Sequence, residues 1–431
     1  MRQEYDVIVA GTGPGGASAA MELSKAGKKV LMVEMGADDQ WVGNTLAALF
    51  FIDMWNGIPL GHPMMVRGIT TGGSSLMYCG TATVPAPWIK ERTGIDLGPI
   101  ADETIEELNI APLPERLVGD GARAMMKAAQ SLGMDWKLLP KFINPDKCVP
   151  DCGVCMLGCP HGAKWTSREY IKQAQEHGAD LLTSTSVEEV LRDNGKAAGV
   201  KTKGPDGKRA YYSDIVIISA GGLGTPIILK KSGIQEAGKG FFGDPLVFTY
   251  GEYNGKGSIY DVPMTAGTWD YHASEGYLMT DLVEPRILHL MSMGMKGPQH
   301  LPKTARISNI LGIMTKCKDP VNGSIEASGR IKKELGDIVW QRLNSGERHA
   351  REILLKAGCD PKSLITSPVK AAHPGGSARV GYVVDKNLET FQIKNCYVSD
   401  ASIVPDELGT PVVLLAISIG KYVARNILSK Q

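Results

Sequence analysis

Near the start of the chain, Gly11-Thr12-Gly13-Pro14-Gly15-Gly16 has the G-x-G-x-x-G spacing of a turn that cradles phosphates. Gly11 permits the tight turn, Gly13 lets the backbone approach a pyrophosphate, and Gly16 lets helix and strand pack closely. The N–H groups left unpaired at the following helix N-terminus complete such a site. Glu34, at the end of a second strand, is placed to accept hydrogen bonds from a ribose hydroxyl. What positions these residues is a βαβ unit: the apolar strand Val7 to Ala10, a helix rich in small residues, and the strand that ends at Glu34. The turn by itself serves FAD and NAD alike.

A second group able to do chemistry is Cys148, Cys152, Cys155 and Cys159, half of the 8 cysteines, spaced C-x3-C-x2-C-x3-C and followed by Pro160. This spacing falls within one residue of the bacterial ferredoxin run, in which thiolates wrap an iron–sulfur cluster. Three readings compete. Four soft ligands suit a four-iron, four-sulfur cluster (4Fe-4S), four thiolates also satisfy tetrahedral zinc, and free thiols or a disulfide remain, the disulfide being disfavoured in a reducing compartment. Cys79, Cys317, Cys359 and Cys396 stand apart in sequence and read as buried or incidental.

The whole chain sets ordinary bounds. Its 431 residues are enough for two domains with substantial cores, and 43% apolar with 22% charged residues is normal for a globular protein. A formal charge of +1 gives no global reason to expect nucleic acid or an anionic membrane as partner. Met1 to Asp6 lead straight into the first strand, without the charged region, apolar region and cleavage site of a signal peptide, so a cytoplasmic location is expected. The longest apolar runs, Thr45 to Ile52 and Pro411 to Ile419, fall short of a membrane span and read as core or loop. The first continues through Met54 and Trp55, and its alternative reading is an exposed apolar lid.

Further elements follow in order. Arg67 to Ser75 is a glycine- and hydroxyl-rich loop, residues 101 to 133 read as helical, and Ser167 to His177 reads as a helix followed by a strand from Asp180 to Ser184. Ile215 to Ile218 is a continuous apolar strand that runs into the glycine turn Ala220 to Pro226, with a helix after it. From Leu246 to Asn309 short strands are expected, including Leu246 to Tyr250 and Arg286 to Leu290, which suggests a separate antiparallel layer. Its Tyr250, Tyr253, Tyr260, Trp269, Tyr271 and Tyr277 suit core packing or substrate stacking, and Met291, Met293 and Met295 suit a greasy ligand. Helix is expected again over Ile331 to Lys356, and the chain closes with strand, Gly409 turn and a helix over Pro411 to Leu428.

Taken together, several of these stretches resemble the glucose-methanol-choline (GMC) oxidoreductases: the first turn with Glu34, Gly72-Gly73-Ser74-Ser75, Gly224-Thr225-Pro226 leading to Ser232-Gly233-Ile234, Gly243-Asp244-Pro245, His373 to Gly381, and Val398 to Ser402. They occur in that family's order along nearly the whole chain. The resemblance implies an α/β fold, with a doubly wound Rossmann-type FAD-binding domain over 1–85, 160–245 and 371–431. It implies a second, antiparallel-sheet substrate domain over 86–159 and 246–370, which holds the Cys-rich segment 148–160. Position by position it implies cofactor contacts from Gly11, Gly13, Gly16, Glu34, Gly73 and Ser74, from Val187 beside the adenine, and from Asp400 and Ala401 near the ribityl and pyrophosphate groups. The segment from Cys152 to Lys164 also resembles a cysteine-rich loop of the branch with long-chain alcohol oxidases and cholesterol-oxidase-like proteins, where no cluster is required.

The resemblance makes His373 the catalytic base, an imidazole that removes an alcohol proton while hydride leaves for the flavin. The other histidines, His62, His161, His177, His272, His289, His300 and His349, read as structural. Thr410 stands where similar proteins carry an Asn or His before a proline, and it offers one hydroxyl in place of an amide or imidazole. Tyr78 replaces the usual polar residue after the second glycine loop. The implied function is oxidation of CH–OH in an alcohol or sugar-like substrate to a carbonyl. Electrons would leave through the Cys-held cluster to a protein or quinone acceptor, with a partner subunit allowed. An oxygen-using oxidase and a flavin/iron–sulfur electron-transfer subunit are the competing readings.

Overall fold

The computed structural model describes residues 4–44, 52–55 and 64–430. Most of the apolar run that starts at Thr45, and with it the lid reading, lies outside the described residues, as does His62.

Five parallel strands form the first layer, in the order Cys396–Val398, Ser213–Ile218, Tyr5–Ala10, Val30–Val33 and Asp180–Leu182. Val7, Ile8 and Val9 are fully buried, as an apolar strand covered on both faces must be. The helix Pro14–Lys25 packs on one side against the closing helix Val413–Ser429 and against Arg168–Glu176. Helix approach is close because a Cβ on Gly420 would meet the Gly15 carbonyl oxygen at 2.2 Å. The antiparallel strands Ser186–Asp193, Lys196–Gly204 and Gly207–Tyr211 form a separate small sheet. This is the expected doubly wound layer.

The second layer is an 11-stranded sheet centred on the 14-residue strand Lys239–Glu252, which pairs with Ile310–Cys317 on one side and Lys370–Gly375 on the other. It is mixed rather than purely antiparallel, since Met64–Gly68 runs parallel to Lys370–Gly375. Arg286 to Leu290, expected as a strand, instead opens the helix Arg286–Lys296. Its buried residues Leu288, His289, Ser292 and Met293 recur at a spacing of four, the period of a helix face. Helix over 101 to 133 divides into Gly98–Glu107 and Asp120–Ser131, with Pro112 and Pro114 in the break. Ile331 to Lys356 divides into a two-residue strand and the helix Asp337–Lys356.

Ile89, Ile95, Leu97 and Ala101 share the buried core of the parallel sheet. The buried Lys421 Nζ, on the closing helix, pairs with the partly exposed carboxylate of Glu107. The helices Trp88–Thr93 and Gly98–Glu107 therefore lie with the first layer, although the sequence-based boundary groups them with the second. Among the described residues, no helix is long and apolar enough to cross a membrane.

Candidate functional site

A cleft of about 630 Å³ opens where the parallel strands end and the large sheet begins. Gly11, Glu34, Ser219 and Asp400 line it, each just beyond the carboxyl end of a parallel strand, the edge where doubly wound sheets hold ligands.

Glycine has three different jobs at this end. A Cβ on Gly15 would sit 1.8 Å from the Ser399 oxygen, and one on Gly16 would sit 2.1 Å from the Gly11 oxygen, so both serve close packing. Gly11 turns the chain at φ +102°. A Cβ on Gly13 would meet nothing within 4 Å, so its missing side chain leaves the cleft wall open. That bare backbone beside a helix N-terminus fits the pyrophosphate of a dinucleotide.

Thr12, which the spacing argument passes over, ties this end together. Its hydroxyl donates to Glu34 Oε2 (2.7 Å) and accepts the Gly72 N–H (3.1 Å), and its own N–H donates to the same carboxylate oxygen (3.0 Å). Gly36 N–H donates to Glu34 Oε1. Burial pushes the Glu34 carboxyl up, while these donors oppose the shift. Gly73 and Ser74 line the cleft, and Ser74 Oγ accepts the Gly68 N–H at 3.0 Å. Val187 lines it as well, between Ser186 and Glu188. Asp400 accepts from the Gly221 N–H and Thr225 hydroxyl with one oxygen and from the Ser402 N–H with the other, and Ala401 follows on the cleft wall. Gly16 and Thr410 are outside the lining.

His373 lines the same cleft and lies on a β-bulge. Phe242 pairs with Gly375 but Asp244 pairs with Ala372, so the His373 strand carries an extra residue at this point. His373 takes φ +50°, a left-handed conformation uncommon for a side chain, and the bulge aims its ring at the cleft. Nδ1 is 2.9 Å from Asp244 Oδ2 and 3.1 Å from Lys316 Nζ. Asp244 and Lys316 are both buried. Burial, reinforced by the Lys316 charge, holds the imidazole below its ordinary range, while Asp244 and the Thr410 backbone pull it upward. Burial also brings Lys316 down to about 8.

Around this ring the wall is mainly apolar. Leu246 and Phe248 on one strand and Met314 on the next face the cleft with a period of two, joined by Met264, Leu282 and Leu288. None of Tyr250, Tyr253, Tyr260, Trp269, Tyr271, Tyr277, Met291, Met293 or Met295 lines it. Tyr250 and Tyr277 are core, and Tyr250 donates to Glu284 Oε2. Tyr78 does line the cleft, with its hydroxyl spent on the Trp165 carbonyl, and Cys79 lines it as well.

Among the described residues, no group of three or more His, Cys, Asp or Glu side chains is arranged to hold a metal ion. Cys155 packs in an apolar cluster with Leu113, Leu117, Ile143, Ala163 and Val262, and Cys148 and Cys159 lie against its edge. The four thiols are neighbours, since Cys152, Cys155 and Cys159 all bear on Cys148, but they do not form a metal-holding group, and nothing in their arrangement supports the iron–sulfur or the zinc reading. Burial, reinforced by the three neighbouring thiols, pushes the Cys148 thiol up to about 12, and burial raises Cys155 against the opposing charges of Lys164 and Lys141.

The GMC oxidoreductase family models match residues 5–247 and 337–420. An uncharacterized GMC-type oxidoreductase of Mycobacterium tuberculosis is 29% identical, over 96% of this chain and 74% of the relative. A long-chain-alcohol oxidase of Arabidopsis thaliana, FAO3, is 23% identical over 99% of this chain and 68% of its own length. Among solved structures, pyridoxine 4-oxidase from Mesorbium loti superposes with a TM-score of 0.72 at 16% identity, covering 99% of both chains. The fold, the glycine cradle and these matches agree: the chain belongs to the GMC oxidoreductase family of FAD-dependent oxidoreductases.

Proposed function

We propose that this protein oxidises the CH–OH group of a small, largely apolar alcohol to a carbonyl, with His373 as the base. The observation that carries the reading is the placement of His373 on a bulge, its Nδ1 beside a buried carboxylate, in a cleft continuous with the glycine cradle.

The residues present fit FAD. The open backbone at Gly13, the Gly73–Ser74 loop and Glu34 suit the ADP half, and Asp400 and Ala401 lie on the way towards His373. Bound there, FAD would accept a hydride from the substrate carbon. The protein's own part is to orient the alcohol and receive its proton. With Nδ1–H donated to Asp244, the opposite ring nitrogen of His373 is left as a proton acceptor, a contribution of about 10²–10⁴ in rate. Leu246, Phe248, Leu282, Leu288 and Met314 give an apolar tail a surface to bury, at about 25 cal/mol per Å². This favours an alcohol with a hydrocarbon body over a sugar, in keeping with relatives named long-chain-alcohol oxidase and cholesterol oxidase.

Those relatives' names also support oxygen as electron acceptor. Among the described residues, no metal-holding group supports an electron route through the four cysteines. The test is anaerobic bleaching of the flavin by a panel of long-chain alcohols, sterols, sugars and polyols, followed by peroxide measurement in air. Bleaching by apolar alcohols with peroxide formed at the turnover rate supports the proposal. Bleaching by sugars alone, or turnover without peroxide, overturns the corresponding part.

A further inference from the structure

The long central strand and its two neighbours bring three ionisable side chains to one place. Leu246 pairs with Lys316 and Asp244 pairs with Ala372, so Asp244, Lys316 and His373 sit on adjacent strands. Asp244 has 0% and Lys316 1% of its side chain exposed, and their charged atoms are 3.7 Å apart. Asp244 is itself fixed, because its Oδ1 accepts the Gly409 N–H at 3.0 Å and the neighbouring Gly243 N–H is held by Asp319.

A buried carboxylate 2.9 Å from an imidazole nitrogen favours the doubly protonated ring, which cannot take a proton from an alcohol. We propose that Lys316 is a positioning residue that offsets the Asp244 charge, so that His373 stays a neutral imidazole with its Nδ1–H on Asp244 and its other nitrogen unprotonated. The inference rests on the functional reading above. Lys316 Nζ lies 3.1 Å from Nδ1 and 3.7 Å from Asp244 Oδ2; because Nδ1 cannot both donate to the carboxylate and accept from the ammonium, the lysine acts on the ring through its charge and its pairing with Asp244, not through a hydrogen bond to Nδ1. Other groups that bear on the cluster are Cys79 and Cys317 beside Lys316, His272 with Lys318 near Asp244, and the Thr410 backbone beside the ring. The direction of the His373 shift agrees, since the Lys316 charge lowers it while Asp244 raises it.

The sequence gives one hint in retrospect. Lys316 is the one charged residue of the buried strand Ile310–Cys317, at a position that lines the cleft, where an unpaired ammonium would be costly.

The test follows the ring itself as well as turnover. In flavin-loaded, ¹⁵N-histidine-labelled protein, with His373→Asn for assignment, the wild-type ring is expected to be neutral and Nδ1-protonated at neutral pH. Lys316→Met should raise its titration midpoint by about one pH unit or more. The acid limb of alcohol-driven bleaching should move up equally, a loss of about tenfold on that limb. Asp244→Asn should move the midpoint down, which keeps the test open if the lysine variant does not fold. An unchanged midpoint in the variant that folds, or an Nε2-protonated neutral ring in the wild type, overturns the proposal. If the ring titrates as expected but no alcohol bleaches the flavin, the functional reading fails and the electrostatic one stands.

Discussion

Asp244 holds His373 from behind: Oδ2 lies 2.9 Å from Nδ1, and Oδ1 accepts the N–H of Gly409, the residue before Thr410. One carboxylate thus links the imidazole strand to the loop that carries Thr410. Since Thr410 is not part of the cleft lining, proton transfer in the proposed reaction falls to His373. His373→Ala should retain FAD absorbance and lower the rate of alcohol-driven flavin bleaching by about 10²–10⁴-fold. Rapid-mixing absorbance measures it, and a loss below threefold would remove His373 from the chemistry.

Gly13 and Gly15 are two residues apart, and substitutions there should fail in different ways. A side chain at Gly13 enters open space in the cleft, so Gly13→Val should fold with a near-normal melting temperature and purify without flavin. At Gly15 even a methyl group meets the Ser399 carbonyl at 1.8 Å. Gly15→Ala should therefore lose about 1–3 kcal/mol of stability or more. Urea unfolding alongside the flavin-to-protein absorbance ratio separates the two. Equal destabilisation would mean that Gly13 is also there only for packing.

Sequence made the first of these sites legible because each glycine answers a local geometric demand, and local demands leave local spacing. The same holds for the buried parallel strands, whose apolar runs need no partner to be recognised. His373 was visible as a motif, but Asp244 and Lys316 come from strands 129 and 57 residues away from it, a convergence fixed only by sheet register. Arg286 to Leu290 misled because a five-residue stretch with three apolar residues fits strand and helix alike, and the buried positions that decide for a helix extend to Met293. The cysteines show the reverse limit. Their spacing permits a cluster, yet spacing cannot tell whether Cys155 turns to a shared metal or packs, as it does, with Leu113 and Ile143.

Asp261 offers a pH test of the second layer. It is 4% exposed, its Oδ2 accepts the Ala122 N–H at 3.1 Å, and its Oδ1 has no hydrogen-bond partner. Burial pushes its carboxyl up to about 6. A carboxyl raised above its unfolded value stabilises the fold at low pH, and that contribution is lost as pH rises through the folded value. Asp261→Asn keeps an acceptor for Ala122 and removes the charge. The variant should be more stable than wild type by about 2 kcal/mol at pH 8, with the difference vanishing near pH 4. Thermal melts at both pH values decide it, and a pH-independent difference would mean that the carboxylate is solvated.

Lys164 connects the cysteine-rich segment to the cleft through backbone carbonyls. The ammonium is 2% exposed and donates to the carbonyls of Leu76 (2.7 Å), Tyr78 (2.8 Å) and Cys155 (2.6 Å). Two of these carbonyls end the second glycine loop, and the third begins the short turn that carries Met156 to the cleft wall. The link therefore runs through the Cys155 backbone, not through its thiol. Lys164→Met should strand three buried carbonyls, lower stability by about 3 kcal/mol or more, and weaken flavin retention. Replacing Cys148, Cys152 and Cys159 together with serine leaves those carbonyls paired and should cost about 1 kcal/mol. If both variants lose stability and flavin alike, the thiols hold something that the carbonyl anchor does not account for; if only the lysine variant does, the segment is a backbone-anchored wall of the cofactor cleft.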